Sequence, residues 1–259
     1  MSRFRELFPG PKTIIAVCHL PPLPDYPGSP GLDALRAHAL ADLEVLELGG
    51  AEGILIENEY DRPHRVLAEA ETVAAMTDIT AAVAAAARNV RVGCEILLND
   101  PKASLDVARA SGARFIRSDY FVDRMMRPEY GEFEIDPQGL IDYRSESGAA
   151  DVLILADIQV KYATMITARP LAESARIAAS SGADAVVVTG AASGDPPPIA
   201  DLREAAQGVP VLIGSGLDAG NAAALLAECD GAIVGTSIMS DGRVDAAALG
   251  RLMSAAALA

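Results

Sequence analysis

The chain has 259 residues, 51% of them apolar but only 4% aromatic and none tryptophan, with 36 acidic and 21 basic side chains for a formal net charge of −15. A field of that sign repels phosphate backbones and argues against nucleic-acid binding, although a local nest of backbone N–H groups still suits a small anion. Cys18, Cys94 and Cys229 stand far apart with no C-x-x-C spacing, which excludes a disulfide framework and points to a reducing compartment.

The N-terminal stretch MSRFRELFPGPK lacks a signal-peptide core, and no apolar run approaches the roughly 18 residues of a membrane helix. A soluble cytoplasmic chain with no membrane span is therefore expected. The first predicted strand is TIIAVC from Thr13, followed by His19 at opposite parity to Cys18, so at most one of the two faces a barrel interior. The helical segment LDALRAHALADLEVLELG places Leu35, Ala39, Leu43 and Leu46 on one face. The second strand, GILIE from Gly53, gives Gly53, Leu55 and Glu57 one parity and aims Glu57 toward the mouth, with Asn58 next to it. An Ala-rich helix, AEAETVAAMTDITAAVAAAAR, leads to RVGCEILL from Arg91, which ends at Asn99 and Asp100. Asp100 also reads as the N-cap of PKASLDVARASG, with proline at N1.

RFIRS from Arg114 brings Arg117, with Asp119 close behind it, to a strand end, where a guanidinium suits a carboxylate or phosphate. In DVLILADIQVK from Asp151, a period of two aligns Leu153, Leu155, Asp157, Gln159 and Lys161. LAESARIAASSG precedes DAVVVT from Asp184; then come PVLIG from Pro210, the Ala-rich AGNAAALLAECD, and GAIVG from Gly231, completing eight strands. Near-continuous hydrophobicity suits strands buried on both faces of a parallel sheet. A helix-to-strand junction recurs at Gly49-Gly50-Ala51, Ser111-Gly112-Ala113, Ser147-Gly148-Ala149 and Ser181-Gly182-Ala183, each reading as a glycine cap followed by a strand.

No linker divides this pattern, so a single (β/α)8 TIM barrel over residues 1–259 is predicted. A doubly wound open sheet would favour G-x-G-x-x-G after the first strand, which is not there. The irregular stretches Pro21–Pro30 and Tyr120–Pro137 follow strands and fall on the catalytic face. Phosphate-binding-type loops are expected after the seventh and eighth strands, where Gly214, Ser215, Gly216, Gly235, Thr236 and Ser237 offer bare backbone and hydroxyls. The loop after the sixth strand adds Thr189, Gly190, Ser193 and Gly194 at the same rim.

Asp157 is the first candidate for acid/base work, with Lys161 as anion clamp, electrophile or Schiff-base amine, and Glu57 and His19 around them. Asn58, Asn99 and Arg117 complete the predicted mouth. Three histidines without an H-x-x-x-H pair speak against zinc. No cofactor is expected, although magnesium held by Asp157 or Glu57 is compatible with the residue types. The Ala-rich helices could pack on another subunit in a homo-oligomer, but burial within the monomer is the simpler expectation.

Taken together, VCHLPPLPDYPGSPG, GAEGILIENEYDRPH, ETVAAMT, VGCEILLND, GARFIRSD, ADIQVKY and DGAIVGTSIMSDGRVD resemble the BtpA/SgcQ family from Val17 to Asp245. That resemblance implies a barrel related to phosphate-binding barrels. One branch of the family is associated with photosystem I accumulation in cyanobacteria, and another with bacterial sugar-utilisation genes and a nucleosidase-like role. This chain departs from the common pattern with Cys18 in place of methionine before His19, and with Tyr162 in place of a histidine after Lys161. The resulting expectation is a cytosolic barrel enzyme acting on a phosphorylated sugar or nucleoside-like molecule, through lyase, isomerase or nucleosidase chemistry. The rival is a non-catalytic assembly or regulatory factor of the photosystem type, and a flavin-binding barrel would share the phosphate loops.

Overall fold

The short aliphatic runs become eight strands: β1 Thr13–His19, β2 Gly53–Glu57, β3 Arg91–Glu95, β4 Phe115–Ser118, β5 Leu153–Ile158, β6 Ala185–Val188, β7 Val211–Ile213 and β8 Gly231–Val234. In the computed structural model, which describes residues 2–259, they pair in the order β1-β8-β7-β6-β5-β4-β3-β2 and close on themselves. Every neighbouring pair is parallel. The predicted (β/α)8 barrel is the fold.

The outer layer comprises α1 Leu32–Gly49, α2 Ala70–Ala86, α3 Pro101–Ser111, α4 Pro137–Glu146, α5 Leu171–Ser180, α6 Ile199–Ala205, α7 Ala222–Leu226 and α8 Ala246–Ala256. The glycine junctions work as caps: Gly50 and Gly112 end α1 and α3 in the left-handed region, where a Cβ would be strained. Asp100 caps α3 by accepting the Ala103 N–H, with Pro101 at the first helical position. α7 is only five residues long, shorter than AGNAAALLAECD suggests, because an Asp218–Asn221 turn occupies its first residues. No described helix is long and apolar enough to cross a membrane.

Alternation along the strands sorts side chains into two cores. Outward residues such as Ile14, Ile54, Ile116 and Ile154 pack on the helices. Inward residues Ile15, Val17, Leu55, Phe115, Leu153, Leu155, Val187, Leu212 and Ile233 fill the barrel. Phe4 and Phe8 join this inner cluster from an N-terminal helix, Arg3–Leu7, with Phe8 lying 5.7 Å from the Phe115 ring. Arg3 and Arg5 pair with Asp184 and Asp230, just before β6 and β8, so the helix closes the end where the strands begin. The opposite, C-terminal end stays open.

The stretch Tyr120–Pro137 is not irregular throughout. Met125–Arg127 and Gly131–Phe133 form an antiparallel ribbon, and Thr164–Met165 from the β5 loop extends it. This small sheet stands beside the open end and carries side chains to it from outside the strands.

Candidate active site

At the C-terminal ends of the strands the inward parity changes from apolar to charged. His19, Glu57 and Glu95 occupy matching register positions on β1, β2 and β3, followed by Arg117 on β4 and Asp157 on β5. Arg117 is the hub. Its Nε and Nη2 donate to the two oxygens of Asp157 at 2.7 and 2.9 Å, a bidentate geometry. Glu57 lies 3.6 Å and Glu95 3.9 Å from the same guanidinium. Burial disfavours the charge on Arg117, but the attraction of Asp157, Glu95 and Glu57 outweighs it and raises its pKa.

These carboxyls differ in proton affinity despite their proximity. Burial would raise Glu57, but hydrogen bonding from His19, attraction to Arg117 and a hydrogen bond with Glu95 bring it down to about 2. Glu95 moves the other way, well above the usual carboxylate range. Burial raises it, and Asp119, Glu57 and Asp157 outweigh the opposing pull of Arg117. Glu95 thus holds its proton more tightly than Glu57 does. His19 Nε2 sits 3.4 Å from Glu57. Burial lowers its pKa, but Glu57 and Glu59 more than compensate, and the net direction is upward. Like charges pressed together have divided into proton holders and proton acceptors.

Above this floor lies a cavity of about 750 Å³, lined by residues from loops all round the mouth. Asp119 faces it with a pKa raised to about 7, first by burial and then by Asp157, with Arg117 and Lys161 opposing. Lys161 also lines it and forms no ion pair within 4 Å among the described residues. His64 is held neutral, its pKa lowered to about 4 by burial and by Arg62 and Arg127. Arg127 reaches the cavity from the ribbon and lies over the rings of Tyr130 and Tyr162, 5.4 and 5.9 Å from their centroids. The Tyr162 hydroxyl accepts the Ser193 N–H at 2.7 Å, linking the loops after β5 and β6.

The loops after β7 and β8 line the same cavity, side by side. Gly214 is required because a Cβ there would fall 2.5 Å from Val187 Cγ1. Gly216 has φ +71°, and a Cβ on it would lie 2.1 Å from the Pro196 nitrogen, so this turn packs directly on the β6 loop. The Ser215 hydroxyl is consumed by that packing, accepting the Gly190 N–H and donating to the Asp195 carbonyl, both at 2.8 Å. The N–H groups of Gly216, Leu217, Thr236 and Ser237 have no acceptor among the described residues. They are the donors these turns present.

Of the residues expected at the mouth, His19, Glu57, Arg117, Lys161, Ser193, Gly214, Ser215, Gly216, Gly235, Thr236 and Ser237 line the cavity. Asp157 does not: it is fully buried beneath the floor, both oxygens held by Arg117. Asn58 is buried too, bracing Asp61 and the Leu97 N–H. Asn99 lies to the side, against Glu95 and Asp119 rather than in the main cavity. Gly190 is turned away by its bond to Ser215. The period-two alignment of Asp157, Gln159 and Lys161 fails after Ile158, because Gln159 takes φ +48° and its amide bonds Arg169 and Ser174. Lys161 reaches the mouth through a turn. Glu95 was not anticipated, since reading RVGCEILL as one strand put it mid-strand. Its shared parity with Gly93 was the available signal. Arg127 had none, being placed by ribbon pairing.

His19, Glu57 and Glu59 each offer a donor atom within 4.8 Å of the other two and could together hold a cation at the cavity edge. Asp157, engaged by Arg117, is unsuited to magnesium.

A family model described as the BtpA family matches residues 10–257. An uncharacterized protein of Archaeoglobus fulgidus is 38% identical over 95% of this chain and 98% of its own length. The photosystem I biogenesis protein BtpA of Synechocystis is 34% identical over 90% of this chain and 83% of its own. Among solved structures, the thiamine phosphate pyrophosphorylase of Pyrococcus furiosus superposes with a TM-score of 0.60 at 17% identity, covering 95% of this chain and 96% of that one.

Proposed function

The chain belongs to the BtpA family, and from that premise we propose that it is a barrel enzyme acting on a phosphorylated sugar or nucleoside-like small molecule. The observation that carries this reading is the convergence of two glycine turns on one cavity whose floor is charged. Unpaired N–H groups at Gly216, Leu217, Thr236 and Ser237 supply anion donors on one wall. Gly235, bordered by His19 and Val17 only at ordinary contact distance, leaves space for close approach, and the hydroxyls of Thr236 and Ser237 add donors. The solved barrel neighbour named above is a thiamine phosphate pyrophosphorylase; the glycine turns of this chain support carrying a phosphorylated ligand over to it.

The carbon skeleton would lie over Glu57, Arg117 and Asp119. Asp119 is the candidate proton carrier, since a carboxyl near pKa 7 both gives and takes a proton at neutral pH. His19, oriented by Glu57, is the second, and Lys161 is the cation facing them. Asp157 becomes a positioning residue that holds the Arg117 guanidinium in plane. Proton transfer of this kind serves lyase, isomerase or nucleosidase chemistry. A purely scaffolding or regulatory role, suggested by the name of the Synechocystis relative, gives no reason to retain a buried floor of one arginine and several carboxyls, each costly to desolvate.

The test is thermal unfolding against phosphate, sulfate, sugar phosphates and nucleoside monophosphates. A phosphorylated ligand at about 100 times its Kd should add about 2.7 kcal/mol of apparent stability. Thr236→Asp and Ser237→Asp, placing negative charge where the phosphate would sit, should abolish the protection. Absence of protection by any phosphorylated compound, or protection unchanged in both variants, overturns the proposal.

A further inference from the structure

A second group of chemistry-bearing side chains lies outside the cavity, on the helix side of β1. Cys18 has the parity opposite to His19 and packs outward against α1, where His38 and Asp42 stand one turn apart. One donor atom from each of the three lies within 4.8 Å of the others, and His38 Nε2 is 3.6 Å from Asp42 Oδ2. Cys18 is 0% and Asp42 1% exposed.

In this group His38 Nε2 and Asp42 Oδ2 are buried without a hydrogen-bond partner among the described residues. Leaving such an atom unsatisfied costs about 1–3 kcal/mol, and native interiors seldom tolerate it. The other side of the aspartate is well tied: its Oδ1 accepts from Arg243 Nε at 2.9 Å and from the Val244 N–H at 3.4 Å. Three donors within reach of one ion, the aspartate among them held from behind by Arg243 and the Val244 N–H, have the organisation of a metal site with part of its outer shell in place.

We infer that Cys18, His38 and Asp42 bind a divalent metal ion of the zinc type, in a site that ties β1 to α1 directly behind His19. A thiolate, an imidazole and a carboxylate form a zinc-type donor set, and the mixture does not suit magnesium or calcium. Zinc bonds of about 2.0–2.3 Å place tetrahedral ligands roughly 3.3–3.6 Å apart, which the His38–Asp42 separation matches. On binding, the Cys18 S–H bond breaks, its proton passes to solvent and the sulfur lone pair forms the bond to the metal, with no change of oxidation state. Thiolate and carboxylate then offset the ion's charge, the carboxylate being shared with Arg243. The absence of H-x-x-x-H hides this site from the sequence, because the helical pair is His38-x-x-x-Asp42 and the third ligand arrives from the neighbouring strand. The site is independent of the phosphate reading.

The test uses the full chain, stripped by dialysis against a chelator and titrated with Co²⁺ and then Zn²⁺. The expected result is one equivalent of Co²⁺ with a thiolate-to-cobalt charge-transfer band, displaced by Zn²⁺ and absent in Cys18→Ser. Asp42→Asn should weaken zinc affinity by at least about 10-fold, the lower end of what even outer-shell losses cost. X-ray absorption of the zinc-loaded unaltered protein should show one sulfur with nitrogen and oxygen ligands, a readout independent of whether the variants fold. Failure to bind either ion overturns the site. So does an equivalent bound without sulfur, which would put the ion at His19, Glu57 and Glu59 in the cavity.

Discussion

A single guanidinium organises the floor of this barrel, and the proton states around it follow from where each carboxyl stands relative to Arg117. Asp157 and Glu57 lie close enough to share its charge, whereas Asp119 faces the cavity and meets the repulsion of Asp157 before the attraction of Arg117. Its pKa is about 7 in the folded chain against an ordinary 3.8. Between these values the folded state holds a proton that the unfolded state gives up, so this group lowers stability as pH rises from about 4 to about 7. Asp119→Asn removes that penalty. The variant should gain on the order of 1–2 kcal/mol relative to the unaltered protein between pH 5 and pH 8, less than the full shift implies because Asp119 keeps some contact with solvent. Urea unfolding at both pH values measures it, and a stability difference that stays constant with pH would contradict the assignment.

At the level of elements, strands and helices depend on each other through a few small residues. β3 presents glycine to the interior at Gly93 because the Phe115 ring of β4 occupies the space, and a Cβ there would come 2.2 Å from ring carbon Cε2. Gly93→Ala should therefore cost about 1–3 kcal/mol or more by overpacking, and Phe115→Leu in the same chain should recover part of it. A double-mutant cycle in urea reads the coupling, and strictly additive losses would show that the two positions do not compete. α1 is legible residue for residue because its apolar period and its glycine stop agree. α7 and the end of β5 are not, because a side-chain turn at Asp218 and a left-handed residue at Gln159 override the local pattern. β3 was read too long for the same reason: an apolar run does not announce where its ladder stops.

For the whole molecule, the barrel has one closed and one open end, and the N-terminal helix decides which. Phe4 and Phe8 complete the inner core, while Arg3 and Arg5 fasten the helix to Asp184 and Asp230. Removing residues 2–8 exposes that core, a loss comparable to truncating two buried phenylalanines at about 3–5 kcal/mol each. The melting temperature should fall by roughly 10 °C or more. Differential scanning calorimetry checks this, and an unchanged transition would mean that the barrel floor is sealed without the helix.

The strand count, the parallel order, the glycine junctions and the two glycine-containing turns after β7 and β8 could all be read from the sequence, because each rests on periodicity or on a backbone conformation that few residues adopt. Parity also aimed Glu57 toward the mouth and set His19 and Cys18 on opposite faces. Tertiary structure alone decided which charged group meets solvent and which is spent internally. Asp157 looked like the acid and is locked under Arg117, Ser215 looked like a donor and is used in packing, and Glu95, Asp119 and Arg127 line the cavity. Direction along a strand is a local property. Proton affinity and hydrogen-bond vacancy depend on neighbours tens of residues away, brought together only when the barrel closes.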